Sequence, residues 1–473
     1  MAIVTPAIYK IDRLPIQELL ETVSLYLHIP FCHTRCYYCD FNTYAGILPL
    51  REPYVRALLT EIGLAGRMAR REDGTPRRTR TIFFGGGTPS LLTVGQVTRL
   101  LDACRQAFAV DSDAEITLEA NPGTLSAGQL VDLRAAGVNR LSMGAQSFDA
   151  ELLKTLGRIH TPEEIVQALR NARAAGFTSI NLDFMFGLPG QTMRHWRETL
   201  DSALSLHPEH LSLYSLIIEE GTPFYTWTHE GRITPGDEDL CADMYEYADE
   251  RLQAEGYENY EISNWALPGH QSQHNLTYWR NLPYLGMGAG AHSFFARRHP
   301  SGGRGQAVAP TGNATEGRGQ AVAPTGNATE GRGQAIAPTG NATEGRGQAV
   351  APTGNATEGR GQAVAPTRRF SNILDPQEYI RLLKQGQRPE AESENIERAS
   401  EMSETAFLGL RTAAGLHLPT FEQRFGEPFS HFAGERLRVV EEAGLLEREE
   451  DWLRLSKRGR LLGNEVFLRL LPD

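Results

Sequence analysis

Cys32, Cys36 and Cys39 stand in the spacing C-x3-C-x2-C within the stretch HIPFCHTRCYYCDF, His28 to Phe41. Thiolates bind soft metals and iron–sulfur clusters, so three of the chain's five cysteines in one short loop point to metal or cluster chemistry. A structural zinc site takes four ligands, commonly as two separated pairs. Here the other two cysteines, Cys104 and Cys241, fall inside helical patterns, where they read as small buried hydrophobes. His33 sits directly beside Cys32, an awkward place for a further zinc ligand. Three thiolates on one loop can instead hold three irons of a 4Fe–4S cluster and leave the fourth iron open to a small molecule. Spacing alone leaves zinc and the cluster both standing.

The elements that must position this loop are legible around it. Short apolar runs read as strands: SLYLHI (24–29), TIFFGG (81–86), EITLEA (115–120), NRLSMGA (139–145), SINLDFMF (179–186) and HLSLYSLII (210–218). Amphipathic helical patterns lie between them, so the fold class is α/β with a parallel sheet. Six such units predict a partial (β/α)6 barrel, TIM-like, with its reactive groups at the C-terminal ends of the strands. A doubly wound open sheet is the competing topology. The cysteine loop follows the first strand, FFGGGTPS ends the second, LEANPGT the third, GAQSFD the fourth and NLDFMFGLPGQ includes the fifth.

The formal net charge of −11 argues against nonspecific nucleic-acid binding, which needs a basic face. No run of about 18 apolar residues predicts a membrane span, and the N-terminus lacks the pattern of a signal peptide. With an odd, sparse set of cysteines, the expectation is a reducing cytoplasm rather than a disulfide framework.

Four domains are expected. Residues 1–22 form an N-terminal extension, and 23–293 form the barrel core with its C-terminal extension. Residues 294–367 hold a low-complexity insert. Within it RGQAVAPTGNATEG recurs with a period of 14 residues from Arg304, Arg318, Arg332 and Arg346, with Ile336 the one change among complete copies. Each unit is too polar to bury a core, which predicts a disordered loop rather than a solenoid. NAT matches an N-glycosylation acceptor, read as noise where no secretion is expected. Residues 368–473 read as a small helical, winged-helix-like domain with one hairpin near LEREEDWLRLS. The acidic chain speaks against a DNA-binding use of that shape.

The cysteine loop and the strand-end motifs together resemble the radical S-adenosylmethionine superfamily. In that family the loop holds a 4Fe–4S cluster, and its open iron chelates the amino and carboxylate groups of S-adenosylmethionine, which one electron cleaves to methionine and a 5′-deoxyadenosyl radical. The resemblance implies Cys32, Cys36 and Cys39 as metal ligands. It implies Gly86, Gly87 and Thr88 near the methionine amino group, with Glu119, Gln146, Arg158 and Asp183 elsewhere around the ligand and Tyr26 and Tyr38 lining the adenosyl pocket. Two groups of the family share the pattern to the C-terminus: the oxygen-independent coproporphyrinogen III oxidases and the HemW-type heme chaperones. The oxidases typically follow the third cysteine with Gly-Cys, whereas Asp40-Phe41 and HNLTYW (His274 to Trp279) match the chaperone type. The resemblance therefore implies heme as a ligand, heme-accepting proteins as partners, some of them membrane-bound, and His274, Tyr278 and Trp279 as heme-binding residues. His292 is a further candidate. The electron donor stays open.

Overall fold

The computed structural model describes residues 14–296 and 367–471. Its centre is one sheet of twelve strands. Six parallel strands form the middle: β1 (Ser24–Ile29), β2 (Arg78–Gly86), β3 (Ala109–Ala120), β4 (Arg140–Gln146), β5 (Ile180–Phe186) and β6 (His210–Ser215), side by side in chain order. Their apolar side chains are buried on both faces, as parallel strands under helices require. The sheet continues past both ends. Beyond β6 lie β7 (Glu258–Glu261) and β8 (Asn264–Ala266), with β8 antiparallel to β6. Beyond β1 lie β9 (Tyr284–Met287), β10 (His292–Ala296), β11 (Thr367–Asn372) and β12 (Glu390–Ile396). No pairing joins β12 to β7 among the described residues, so the barrel stays open.

Crossover helices pack outside the sheet: α1 (Arg51–Met68), α2 (Val94–Ala107), α3 (Ala127–Ala136), α4 (Ala150–Thr155), α5 (Pro162–Ala174) and α6 (Met193–Ser205). Their starts are written locally. Thr93, Ser126, Thr161 and Thr192 each cap their helix and exchange side-chain bonds with the third helical residue. These caps fix where each strand-to-helix loop must end, and so fix the rim. Further helices follow: α7 (Pro223–His229), α8 (Glu238–Ala254) and α9 (Gln273–Trp279). Among the described residues no helix is long and apolar enough to cross a membrane.

The C-terminal part has its own apolar core, built on Phe421, Phe429, Leu437, Leu453 and Val466. α10 (Pro376–Lys384) packs on α1 and puts Tyr379, Ile380 and Leu383 into the barrel core, whereas the helices of the C-terminal part include α11 (Arg398–Leu410), α12 (Leu418–Phe425) and α13 (Phe429–Glu442). A small antiparallel sheet of β13 (Leu416–His417), β14 (Leu446–Glu449) and β15 (Trp452–Leu455) supplies the hairpin that the sequence predicts. The N-terminal extension up to residue 13 and the repeats lie outside the described residues. β10 runs to Ala296, three residues into the span assigned to the insert, and pairs directly with β11, Ala296 opposite Thr367.

Candidate functional site

The cysteine loop is clamped at its base. Phe31 and Cys32 pair in parallel with Tyr44 and Ala45. Tyr37 holds the outer part: its N–H donates to Leu156 O at 3.1 Å and its carbonyl accepts from Phe224 N at 3.1 Å. A turn closes between Cys39 N and Cys36 O at 3.2 Å. The sulfurs lie among hydroxyl and guanidinium groups, with Thr43 also near Cys32 and Tyr38 near Cys36. Cys32 Sγ lies 3.6 Å from Thr88 Oγ1, Cys39 Sγ 3.8 Å from Thr43 Oγ1, and Arg158 Nη1 donates to Cys36 Sγ at 3.4 Å. Burial pushes the Cys32 and Cys39 thiols up, the threonine hydroxyls pull them back, and the neighbouring thiols raise them again. No three His, Cys, Asp or Glu side chains among the described residues converge tightly enough for one metal ion. In a cluster each thiolate holds a different iron, so its sulfurs need not converge on one point. Cys104 is buried in α2 and Cys241 lies on α8 beside Gly187, so neither joins the loop.

The predicted glycines are required by close approach. A Cβ on Gly87 would lie 2.7 Å from Phe31 O and 3.0 Å from Cys32 Sγ, and one on Gly86 would strike the His28 ring at 2.6 Å. Gly86 also has a φ of +114°, which a side chain would strain. Its N–H donates to Glu119 Oε2 at 3.0 Å. Thr88 Oγ1 accepts from Asn121 Nδ2 at 3.0 Å, and Asn121 Oδ1 accepts from Arg158 Nη2 at 2.6 Å. Asn121 thus links the second, third and fourth strand ends, yet it is absent from the sequence prediction. Its place in LEANPGT, two residues after Glu119, was the available signal.

Gln146 follows a register shift between Gly144 and Gln146 and has a φ of +66°, uncommon for a non-glycine. Its amide and Arg158 both crowd the spot a Gly144 side chain would take. Asp183 accepts from Asn181 Nδ2 at 2.7 Å and from Ser142 Oγ at 3.3 Å. Burial pushes the Glu119 carboxyl up to about 8, with Asp183 adding to the rise, and burial raises Asp183 as well. Two half-buried acids facing one space favour a cationic ligand, which would restore their charged forms. Tyr26 stacks on Phe83, with ring centroids 6.1 Å apart, and its OH meets His28 Nδ1 at 3.1 Å. Tyr38, inside the loop, packs toward Phe224 at 6.5 Å. Burial raises both phenols, assisted by Glu119 for Tyr26 and by Cys36 for Tyr38. The predicted residues are therefore gathered at the C-terminal ends of the parallel strands.

The HNLTYW segment is different. It forms α9, and His274 is 1% exposed. Its Nδ1 bonds Thr81 Oγ1 at 2.8 Å and its Nε2 bonds Tyr278 OH at 2.9 Å. Burial lowers the imidazole to about 3. Phe83 stacks on the ring at 5.0 Å. Both nitrogens are engaged, so iron ligation would require breaking one of these bonds, contrary to the expectation for a heme ligand. Tyr278 is half-buried and meets Tyr284 edge-on at 4.7 Å. Trp279 is buried toward the C-terminal part, with the Arg411 guanidinium 5.8 Å from its ring centre. His292, at the start of β10, is half-buried and burial lowers its pKa.

Comparison with known proteins agrees with this geometry. A family model for the radical SAM superfamily matches residues 26–203, and one for the HemN C-terminal domain matches 396–462. The heme chaperone HemW of Bacillus subtilis (strain 168) is 34% identical over 451 residues, which cover 95% of this chain and 99% of that protein. The heme chaperone HemW of Escherichia coli (strain K12) is 46% identical over 275 residues, covering 58% of this chain and 70% of that one. Among solved structures, coproporphyrinogen III oxidase (HemN) from Escherichia coli, a radical SAM enzyme, superposes with a TM-score of 0.69 at 22% identity, covering 96% of this chain and 92% of that one. At that identity the likeness speaks to the fold. On these grounds the chain belongs to the HemW heme chaperone family, within the radical SAM superfamily.

Proposed function

We propose that this chain is a heme chaperone: it binds heme and hands it to acceptor proteins, and it carries a 4Fe–4S cluster with S-adenosylmethionine. Cys32, Cys36 and Cys39 hold the cluster in this reading. The observation that carries it is the clamped loop itself. Three thiols stand on a base fixed by the Phe31–Tyr44 pairing, against glycines that a side chain would displace, with no fourth cysteine joining the loop. Arg158, donating to Cys36, would offset the negative charge that three thiolates bring together. When bound, the pair of cofactors supplies one-electron chemistry at the sulfonium. The residues around it do the rest: Gly86, Gly87 and Thr88 admit the ligand's charged end, Glu119 and Asp183 attract its cationic groups, and Tyr26 and Tyr38 flank its adenosyl part. Gln146 and Arg158 hold the far wall.

Heme binding is assigned to α9 through half-buried Tyr278, with His274 as a positioning residue behind it and Trp279 seating the helix against the C-terminal part. The acceptors in this proposal include proteins held at a membrane, met from the surface of the inner membrane by a largely cytoplasmic chain. The related oxidase chemistry is the rival reading, because the fold is shared. Anaerobic incubation of the cluster-loaded chain with coproporphyrinogen III, reductant and S-adenosylmethionine separates the two. The proposal predicts no protoporphyrinogen IX beyond background. Its formation over many turnovers would overturn the chaperone reading.

A further inference from the structure

At the opposite end of the barrel, where the parallel strands begin, lies a cavity of about 290 Å³. Arg80 on β2, three acids on β3, Arg140 on β4 and Gln273 on α9 line it. The acids are already partnered. Asp111 accepts from Arg78 Nε at 2.7 and 3.0 Å. Glu115 accepts the backbone N–H groups of Gln273 at 3.0 Å and His274 at 2.9 Å. Asp113 has a partner of its own. The two arginines keep unmet donors, although Asp111 and Asp113 act on Arg80 electrostatically. Arg80 Nη1 and Arg140 Nε are buried without any hydrogen-bond partner, and Arg140 is only 3% exposed. Gln273 Oε1 is likewise buried and unpartnered.

A guanidinium has donors only, so a buried N–H without an acceptor carries the full desolvation penalty of a charged group. Native chains rarely leave such groups open unless something else completes them. We propose that this cavity binds a small molecule bearing an oxyanion, a carboxylate or a phosphate, whose oxygens accept from Arg80 Nη1 and Arg140 Nε. A donor on the ligand, or a water it holds, reaches Gln273 Oε1. Heme is not this occupant, because most of the lining residues are polar or charged and a porphyrin face needs an apolar slot. The site is separate from the cysteine loop and does not depend on the chaperone reading. Gln273 and Glu115 also hold the start of α9, so the ligand would sit against the base of the helix that carries His274 and Tyr278.

The test is calorimetric titration of the full chain in chloride buffer, with inorganic phosphate in one arm and malonate in the other. The expected result is saturable one-to-one binding in at least one arm, weakened tenfold or more by Arg80→Gln, with cluster absorbance unchanged. The arm that binds more tightly names the oxyanion. Arg140→Gln is the stronger lesion, but Arg140 is deeply buried and its change puts folding itself at risk, so half-buried Arg80 carries the test. No saturable binding in either arm, or binding that Arg80→Gln leaves intact, overturns the proposal.

Discussion

The cysteine loop holds its reactive groups loosely, and the α9 helix holds its own completely. In the loop the sulfurs meet their polar neighbours only at 3.4 to 3.8 Å, and the surrounding acids, Glu119 and Asp183, are pushed away from their charged forms by burial. In α9 both imidazole nitrogens of His274 are bonded at 2.8 and 2.9 Å and the ring is buried. The difference separates two uses of a motif. Groups left with unmet bonding capacity are set to receive something, and groups already satisfied are set to hold the frame.

Four experiments break or sharpen that contrast. The largest effect is expected in the loop: Cys36→Ala should abolish the cluster's visible absorbance while leaving the far-ultraviolet circular dichroism as it is. An unchanged spectrum would remove the loop's assigned role. Next comes the frame. His274→Ala should lower unfolding stability by about 2–4 kcal/mol, because it opens a cavity and strands the Thr81 and Tyr278 hydroxyls. Urea unfolding gives the size, and heme stoichiometry measured below the unfolding transition should stay near the native value. Loss of heme from a still-folded variant would make His274 an iron ligand after all.

A third, smaller effect concerns pH. Because burial holds the Glu119 carboxyl up to about 8, the folded chain without ligand binds more protons here than the unfolded chain between about 4.5 and 8. Its contribution therefore favours folding at acid pH and is lost as pH rises through that window. A cationic ligand prefers the carboxylate, so S-adenosylmethionine affinity should rise toward pH 8, by at most about tenfold per unit, and then level. Glu119→Gln should weaken binding and flatten the profile; a slope that survives the substitution would assign the titration elsewhere. The smallest effect is expected from the insert. Ala296 and Thr367 are paired across β10 and β11, so a two-residue Asn-Gly turn can replace the intervening segment. Cluster content and melting temperature should hardly move, and a cooperative loss of either would give the repeats a structural part.

The six parallel strands were legible because a fully buried strand is a continuous apolar run, and SLYLHI matched β1 residue for residue. The strand starts were less so. β2 begins at Arg78 and β3 at Ala109, where polar residues at the barrel's lower end interrupt the apolar signal. The outer strands went unseen. EAESENI, which forms β12, is an acidic edge with six of its seven residues at least partly exposed, and nothing in its composition favours a strand. At the site, residue types within a motif were readable, but their partners were not. The contacts of Asn121 and the pairing of Thr81 with His274 depend on how distant elements pack together, which no local pattern encodes. That is why a histidine in a suggestive motif read as a ligand and proved to be fully engaged.

The central claim, that this barrel handles heme, is tested most directly by transfer. The chain, loaded anaerobically with one equivalent of heme, is mixed with an apo-acceptor heme protein and followed by the Soret band. The account predicts that heme binds, leaves the chain and appears in the acceptor with its native spectrum, faster than free heme supplies it. Failure to bind heme, or transfer no faster than from free heme, would contradict it.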